Sequence, residues 1–155
     1  MDSNRSRCWA RKGSKPIKFT SGSKAKINIG GFYTETEEFF WYDLGIKQNT
    51  DSFLKSLLKF NREIGVRIFL LLDRAPWHRS RKSQEFFQKN KHWLEIMYFP
   101  PATPDRNPTE YCWKVTREEL TSIKSFKNTK ILNQELDGFW QKHKFTHKMS
   151  HYLKW

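Results

Sequence analysis

The chain has 155 residues and carries 29 lysines and arginines against 16 aspartates and glutamates, a formal net charge of +13. This length suits one domain with its own hydrophobic core, and no apolar run reaches the roughly 18–20 residues of a membrane span. Aromatic residues make up 16% of the chain, which argues against intrinsic disorder. The basic excess predicts a polyanionic partner, most often nucleic acid.

The cysteines and the start of the chain predict a cytoplasmic protein without a membrane partner. Cys8 and Cys112 are too few and too far apart for a disulfide framework or a metal ribbon. We therefore expect two free thiols in a reducing compartment. The first five residues are polar, and no apolar core of a signal peptide follows them.

Strand and helix patterns alternate along the chain and predict the α/β class. Strands are expected at residues 25–34, 38–44, 66–72 and 94–99, where β-branched, aromatic or continuous apolar runs occur. Helices are expected at residues 51–61 (capped by Asp51 or Ser52), 80–90, 109 or 110 to 120, and 130–143. Early antiparallel strands followed by crossover connections favour a three-layer sandwich around a central mixed sheet.

Two acidic residues lie where catalytic groups of an α/β sheet are usually found. Asp73 directly follows the apolar strand 66–72, at the end of the strand where open α/β sheets bind ligands. Glu110 follows strand 94–99 and a proline-rich loop, in the first turn of the next helix. Paired carboxylates in such a place hold Mg²⁺ and act on phosphodiesters. From position alone, the alternative is that Asp73 merely ends a strand and Glu110 merely caps a helix.

The residues around both carboxylates are distinctive. Residues 70–80 read LLLDRAPWHRS, and residues 99–113 read FPPATPDRNPTEYCW. Together they resemble the catalytic core of transposases in the mariner superfamily, particularly its bacterial and archaeal insertion-sequence branch. A further resemblance is the family's W-x-x-x-G segment, which Trp9 and Gly13 match.

The match to the family's two acidic motifs is close but not complete. In the pattern D-N-A-x-x-H, Asp73, Ala75 and His78 match, while Arg74 replaces the usual Asn. In P-P-Y-S-P-D-x-N-P-x-E-x-x-W, Ala-Thr replaces Tyr-Ser, and the matching residues are Pro100, Pro101, Pro104, Asp105, Asn107, Pro108, Glu110 and Trp113. The 36 residues between Asp73 and Glu110 are close to the family's spacing.

This resemblance implies a fold, a reaction and partners. It implies an RNase H-like (integrase-type) fold and a DDE triad with Mg²⁺ or Mn²⁺, which cleaves DNA at transposon ends and joins the freed 3′-OH to target DNA. Asp73 and Glu110 would be catalytic and bind the metal, Asn107 would orient them, and His78 would either support them or be a surface histidine. The implied partners are transposon-end and target DNA, a second copy of the chain or a full-length transposase, in the cytoplasm and at the nucleoid if the source is bacterial or archaeal.

The first Asp of the triad has no clear match. In the family it ends a strand about a dozen residues before the Trp matched by Trp9, whereas Asp2 lies seven residues before Trp9. We therefore expect residues 1–155 to form a single catalytic domain that is truncated at its N-terminus, without the first strand and without a helix-turn-helix region. Asp2 is a weak candidate for the third ligand, and Asp43 a weaker one. The alternative function is a transposase remnant that binds nucleic acid without catalysis.

The C-terminal histidines suggest a third hypothesis, a zinc-binding module. His143, His147 and His151 recur every four residues, as zinc ligands on one face of a helix would. The lysines that surround them favour a solvated basic tail instead. The tryptophans are expected to pack in the core or at an interface rather than to stack on bases.

Overall fold

The structure is a computed structural model that describes residues 11–14, 26–101 and 103–152. The chain divides into two compact units, a larger one of Asn28–Glu110 with Phe145–Trp155 and a smaller one of Met1–Ile27 with Tyr111–Lys144. The single domain over residues 1–155 stays a prediction. None of the helices in the described ranges is both long enough and apolar enough to span a bilayer.

Four strands lie in the larger unit and pair two by two. Strand β1 (Ile29–Tyr33) runs antiparallel to β2 (Phe39–Asp43). Strand β3 (Ile68–Leu72) runs parallel to β4 (Leu94–Tyr98), with Leu72 opposite Tyr98 at the carboxyl ends. Both pairings expected of a mixed sheet are therefore present. Among the described residues they form two separate two-stranded sheets rather than one continuous sheet.

Among the described residues, three α-helices lie wholly within the larger unit, and the ends of the first have clear causes in the sequence. Helix α1 (Thr50–Ile64) is capped by Asn49, whose side chain accepts the Ser52 N–H, so the predicted cap at Asp51 or Ser52 was wrong. The helix ends at Gly65, which has a φ of 67°. A single turn, α2 (Pro76–Arg79), was not predicted, and it precedes α3 (Arg81–Lys89).

One core lies beneath both sheets of the larger unit and holds the carboxyl end of β3 in place. Helix α1 contributes Leu57, which is fully buried. The rings of Phe32 on β1 and Phe60 on α1 stack with their centroids 4.5 Å apart. The buried members of this core are Phe32, Tyr42, Phe53, Leu54, Leu57, Phe60, Ile68, Leu72, Phe87 and Leu94.

The smaller unit contains most of α4 (Pro108–Thr116) and all of α5 (Thr129–Lys142). The helix predicted to reach residue 120 ends at Thr116 and continues as a π-helical turn, Arg117–Thr121. Its core includes a buried hydrogen-bond chain, in which the Trp140 indole N–H donates to Thr116 Oγ1 (2.8 Å) and Thr116 donates to the Cys112 carbonyl (2.8 Å). Cys112 is fully buried, and Cys8 lies outside the described residues.

Candidate active site

Asp73 begins the turn that leaves β3. Its Oδ1 accepts the Ala75 N–H at 3.0 Å and lies 2.7 Å from Nδ1 of His78. The hydrogen bond with His78 is the main cause that lowers the pKa of the Asp73 carboxyl; burial opposes this shift and the Ala75 N–H adds to it. The Asp73 side chain is about half exposed.

His78 is an inward-facing residue, and surrounding groups hold it. Its side chain is 12% exposed, so the surface alternative for this residue was wrong. The Trp77 indole nitrogen lies 3.1 Å from His78 Nε2, and the ring of Phe53 lies 4.3 Å from the imidazole, centroid to centroid. The Tyr98 hydroxyl on β4 donates to the His78 carbonyl at 2.9 Å. Sequence reasoning assigned Trp77 to packing alone, and no signal in the sequence marked its indole nitrogen as a partner of His78.

Glu110 is positioned mainly by its backbone. The Asn107 side-chain oxygen accepts the Thr109 N–H at 3.1 Å, and the Asn107 carbonyl accepts the Glu110 N–H at 3.0 Å. Pro108 is the first residue of α4, where a missing N–H costs nothing. The helix N-terminus favours negative charge, so Glu110 lies in a setting that suits a carboxylate. Its side chain is exposed.

Asp73 and Glu110 both line one open cleft of about 190 Å³ in the larger unit. It lies at the carboxyl ends of the parallel strands, because Phe99 extends the pairing of β4 by donating its N–H to the Leu72 carbonyl at 2.9 Å. The cleft is lined by Asp73, Arg74, Phe99, Pro100, Pro101, Thr103, Asn107 and Glu110.

Arg74, which stands where the mariner pattern has Asn, also lines this cleft. Its Nε donates to the Phe99 carbonyl at 3.0 Å, which anchors the guanidinium at the start of the loop. None of the ion pairs among the described residues joins Arg74 to Asp73 or Glu110. Two acidic residues and one arginine therefore line the cleft, and this arginine forms no ion pair with either of them.

The other candidate ligands do not join this cleft in the described part of the chain. Asp2 lies outside that part. Asp43 ends β2, where its Oδ1 accepts the Gly45 N–H at 2.7 Å, and it does not line the cleft. Within residues 11–14, 26–101 and 103–152, no cluster of three or more histidine, cysteine, aspartate or glutamate side chains is placed to hold a metal.

The C-terminal histidines do not share a helix, so the geometry assumed for a zinc site was wrong. His143 follows the end of α5, and its imidazole stacks on Phe139 in the smaller unit. In the larger unit, His147 stacks on Tyr33 at 4.2 Å, and His151 ends a 3₁₀ turn, Met149–His151. Trp77 and Trp93 pack partly against the core, as predicted for the tryptophans. Trp9 and Trp155 lie outside the described residues.

Comparison with known families identifies the class of protein. Residues 1–133 match the DDE superfamily endonuclease family, and the chain belongs to this family. Over 96 residues the chain is 27% identical to the uncharacterized protein y4pE/y4sA of Sinorhizobium fredii. The aligned region covers 61% of this chain and 67% of that protein.

Solved structures with a similar fold include several of the Mos1 transposase. The Mos1 strand transfer complex aligns with a TM-score of 0.69 at 15% identity, over 96% of this chain and 46% of that chain. The Mos1 catalytic domain with Raltegravir and Mg aligns with a TM-score of 0.58 at 14% identity, over 81% of this chain and 74% of that chain. The chain thus spans about half the length of the Mos1 chain in the strand transfer complex. The similarity confirms the predicted RNase H-like α/β fold, which the chain shares with the Mos1 catalytic domain.

Proposed function

We propose that this chain is a transposase catalytic domain that cleaves DNA phosphodiester bonds and joins DNA strands in a metal-dependent reaction. Asp73 and Glu110 are its catalytic carboxylates and metal ligands. The observation that carries the proposal is the cleft that both residues line, although 36 residues separate them in sequence. Membership of the DDE endonuclease family supports the same reaction.

The donor set of the cleft fits Mg²⁺ or Mn²⁺. Mg²⁺ prefers oxygen ligands, and it commonly takes one or two protein carboxylates together with water and substrate phosphate oxygens. Asp73 Oδ1 already has two contacts, whereas Oδ2 has none within the described part of the chain. The Glu110 carboxylate likewise has no side-chain partner among the described residues. Mos1 structures were solved with Mg and with Mn, and Asp2 is kept as a candidate third ligand.

Four residues of the cleft have distinct parts in this proposal. A divalent ion bound here would offset the charge that develops on the phosphate during cleavage. An ordinary aspartate is already ionised at neutral pH, and the hydrogen bond with His78 lowers the pKa of Asp73 further, so Asp73 binds a cation without first losing a proton. Asn107 fixes the first turn of α4 and thus the position of Glu110. Arg74 supplies N–H donors to a DNA phosphate, which guanidinium groups bind well.

DNA is the proposed substrate. The formal charge of +13 favours a polyanion, and one Mos1 neighbour is a paired-end complex with a left transposon end. We propose transposon-end and target DNA as ligands, and a second copy of the chain or a full-length transposase as protein partner. The chain would then act in the cytoplasm, at the nucleoid in a bacterial or archaeal cell.

The test is Mn²⁺-dependent nicking of supercoiled plasmid by the whole chain. The variants Asp73→Asn and Glu110→Gln keep the side-chain shape but remove the charge. We expect each variant to lose at least about a hundredfold in nicking rate, since each removes charge that stabilises the transition state. The assay is quantified as conversion of supercoiled to open-circular DNA.

Matched controls separate the cleft from acidic residues in general. Asp43→Asn changes an aspartate that ends β2 and does not line the cleft, and Glu118→Gln changes an exposed glutamate of the π-helical turn. Both controls should nick at the rate of the unaltered chain. If the unaltered chain binds DNA in a salt-sensitive manner but does not nick it, the catalytic proposal is wrong and the alternative, a non-catalytic DNA-binding remnant, is favoured.

A further inference from the structure

The contacts around Asp73 assign a function to a residue outside the acidic motif, the indole of Trp77. We infer that Trp77 and His78 are positioning residues, which together fix the proton on the His78 ring and thereby the orientation of the Asp73 carboxylate. The inference rests on the proposed function, since it concerns how the same site is prepared to bind a cation.

The position of the imidazole proton follows from the chemistry of its two neighbours. An indole N–H can only donate, so His78 Nε2, at 3.1 Å from Trp77 Nε1, must accept and carries no proton. The proton of the neutral ring is then on Nδ1, which lies 2.7 Å from Asp73 Oδ1. Nδ1 therefore donates to the carboxylate, and the chain of donors runs from Trp77 through His78 to Asp73.

The ring itself has little freedom to turn. A half-turn about its bond to Cβ would put carbon atoms in place of both nitrogens, and both hydrogen bonds would be lost. Phe53 packs against the ring with 4.3 Å between centroids. Trp77 is held in turn, because its carbonyl accepts the Ser83 hydroxyl at 2.6 Å, and Ser83 is fully buried.

These bonds determine which carboxylate oxygen is available. Oδ1 of Asp73 accepts both the His78 Nδ1–H and the Ala75 N–H at 3.0 Å. The two donors fix the carboxylate plane and leave Oδ2 as the oxygen without a partner in the described residues. Asp73 is thus prepared to bind a cation through one oxygen, and the partner that orients it is fixed by Trp77.

The direct test is the tautomer of His78, which two-bond ¹H–¹⁵N NMR spectra of histidine-labelled protein report. Among the five histidines, the His78 signals are assigned by their loss in His78→Asn. We expect the Nδ1–H form in the unaltered chain and a smaller share of that form in Trp77→Phe, because the Asp73 carboxylate alone then favours it. This variant keeps an aromatic ring but removes the indole N–H. The matched control is Trp93→Phe, which deletes an indole N–H bonded to Asn90 Oδ1 at 3.0 Å and should leave His78 unchanged.

Mn²⁺ affinity, measured with the metal alone by titration calorimetry, shows whether this arrangement matters for the site. Loss of a group that orients a metal ligand typically weakens binding 10–100-fold. We expect a loss of that size in His78→Gln, a smaller loss in Trp77→Phe, and near-normal affinity in His78→Asn. The amide nitrogen of Asn reproduces the position of Nδ1, which donates to Asp73, whereas the amide nitrogen of Gln reproduces the position of Nε2. A purely structural role of His78 would lower the Mn²⁺ affinity of both variants alike.

The outcomes separate the inference from the function beneath it. The Nε2–H form in the unaltered chain, or a His78 spectrum that Trp77→Phe leaves unchanged in folded protein, would overturn the inference whatever the metal data show. If the Nδ1–H form is present and Trp77→Phe disturbs it, but the unaltered chain binds no Mn²⁺, the proposed function fails and the positioning geometry stands. Folding of each variant is checked by its ¹H–¹⁵N backbone spectrum.

Discussion

Asp73 and Glu110 line the same cleft, but different kinds of contact hold them. The Asp73 carboxylate is half-buried and bonded to the His78 side chain and the Ala75 backbone. The Glu110 side chain is exposed, and only its backbone is constrained, through Asn107 and the first turn of α4. One carboxylate is therefore oriented before any ligand arrives, whereas the other is placed in position and left free to rotate.

This difference suggests a division of work at the cleft. An oriented carboxylate contributes a fixed ligand direction, which reduces the ordering needed when a cation binds. A carboxylate on a capped helix start can adjust to the cation and to substrate. Three predictions test whether the Asp73 and Glu110 carboxylates differ in this way.

The largest difference is expected when each carboxylate is removed. Asp73→Ala removes the carboxylate that accepts the Ala75 N–H and the shorter hydrogen bond of His78 Nδ1, and we expect the free energy of unfolding to fall by about 1–2 kcal/mol. Glu110→Ala removes no side-chain bond seen among the described residues, so its effect should stay within about 0.5 kcal/mol. Urea denaturation without metal measures both. Equal losses in the two variants would contradict the comparison.

Near Glu110, we expect the Asn107 side chain to contribute more to the stability of the fold than the glutamate side chain does. Asn107→Ala removes the acceptor for the Thr109 N–H, and loss of such an N-cap typically costs about 1 kcal/mol of stability. Asn107→Ser keeps a capping oxygen and should recover most of this loss. The same urea experiment applies, and a stable Asn107→Ala variant would show that the proline-rich loop alone positions the helix start.

The smallest effect is expected in the pH dependence of stability. Because the pKa of Asp73 is lowered in the folded chain, chiefly by the bond with His78, the ionised carboxylate stabilises the fold above the pKa of an unfolded aspartate, about 3.9. This contribution is lost as the pH falls through the lowered pKa of the folded chain. In His78→Ala we expect the Asp73 pKa to move up toward its usual value, and ¹³C NMR titration of the carboxyl carbon measures it. An unmoved pKa would mean that His78 is not its main cause.

Local sequence signals located most of the elements, and the departures have identifiable causes. The apolar run at residues 66–72 does contain β3, but pairing begins at Ile68, which donates its N–H to the Trp93 carbonyl. Helix α1 extends in both directions beyond the predicted residues 51–61, because Asn49 caps its start and Gly65 caps its end. The single turn α2 is too short to produce a periodic pattern, so sequence reasoning had no signal for it.

The candidate site shows the same division between local and distant information. The motifs around Asp73 and Glu110 predicted both carboxylates and named His78 and Asn107 as their supports. The Asn107 cap is a local interaction, and it could be predicted from the sequence because Asn107 lies three residues before Glu110. The role inferred here for Trp77 was not readable, since an indole beside a histidine is usually a packing residue.

The sequence by itself determined the family, the two acidic positions and the order of strands and helices, because motif residues and hydrophobic periodicity act over short distances along the chain. Only the tertiary structure decided that Asp73 and Glu110 line one cleft and that the His78 ring is held between Trp77 and Asp73. The physical reason is that these arrangements depend on contacts between distant segments. Phe53 on α1 packs on the ring, and Tyr98 on β4 binds the His78 carbonyl. No periodicity in the sequence records where such side chains meet.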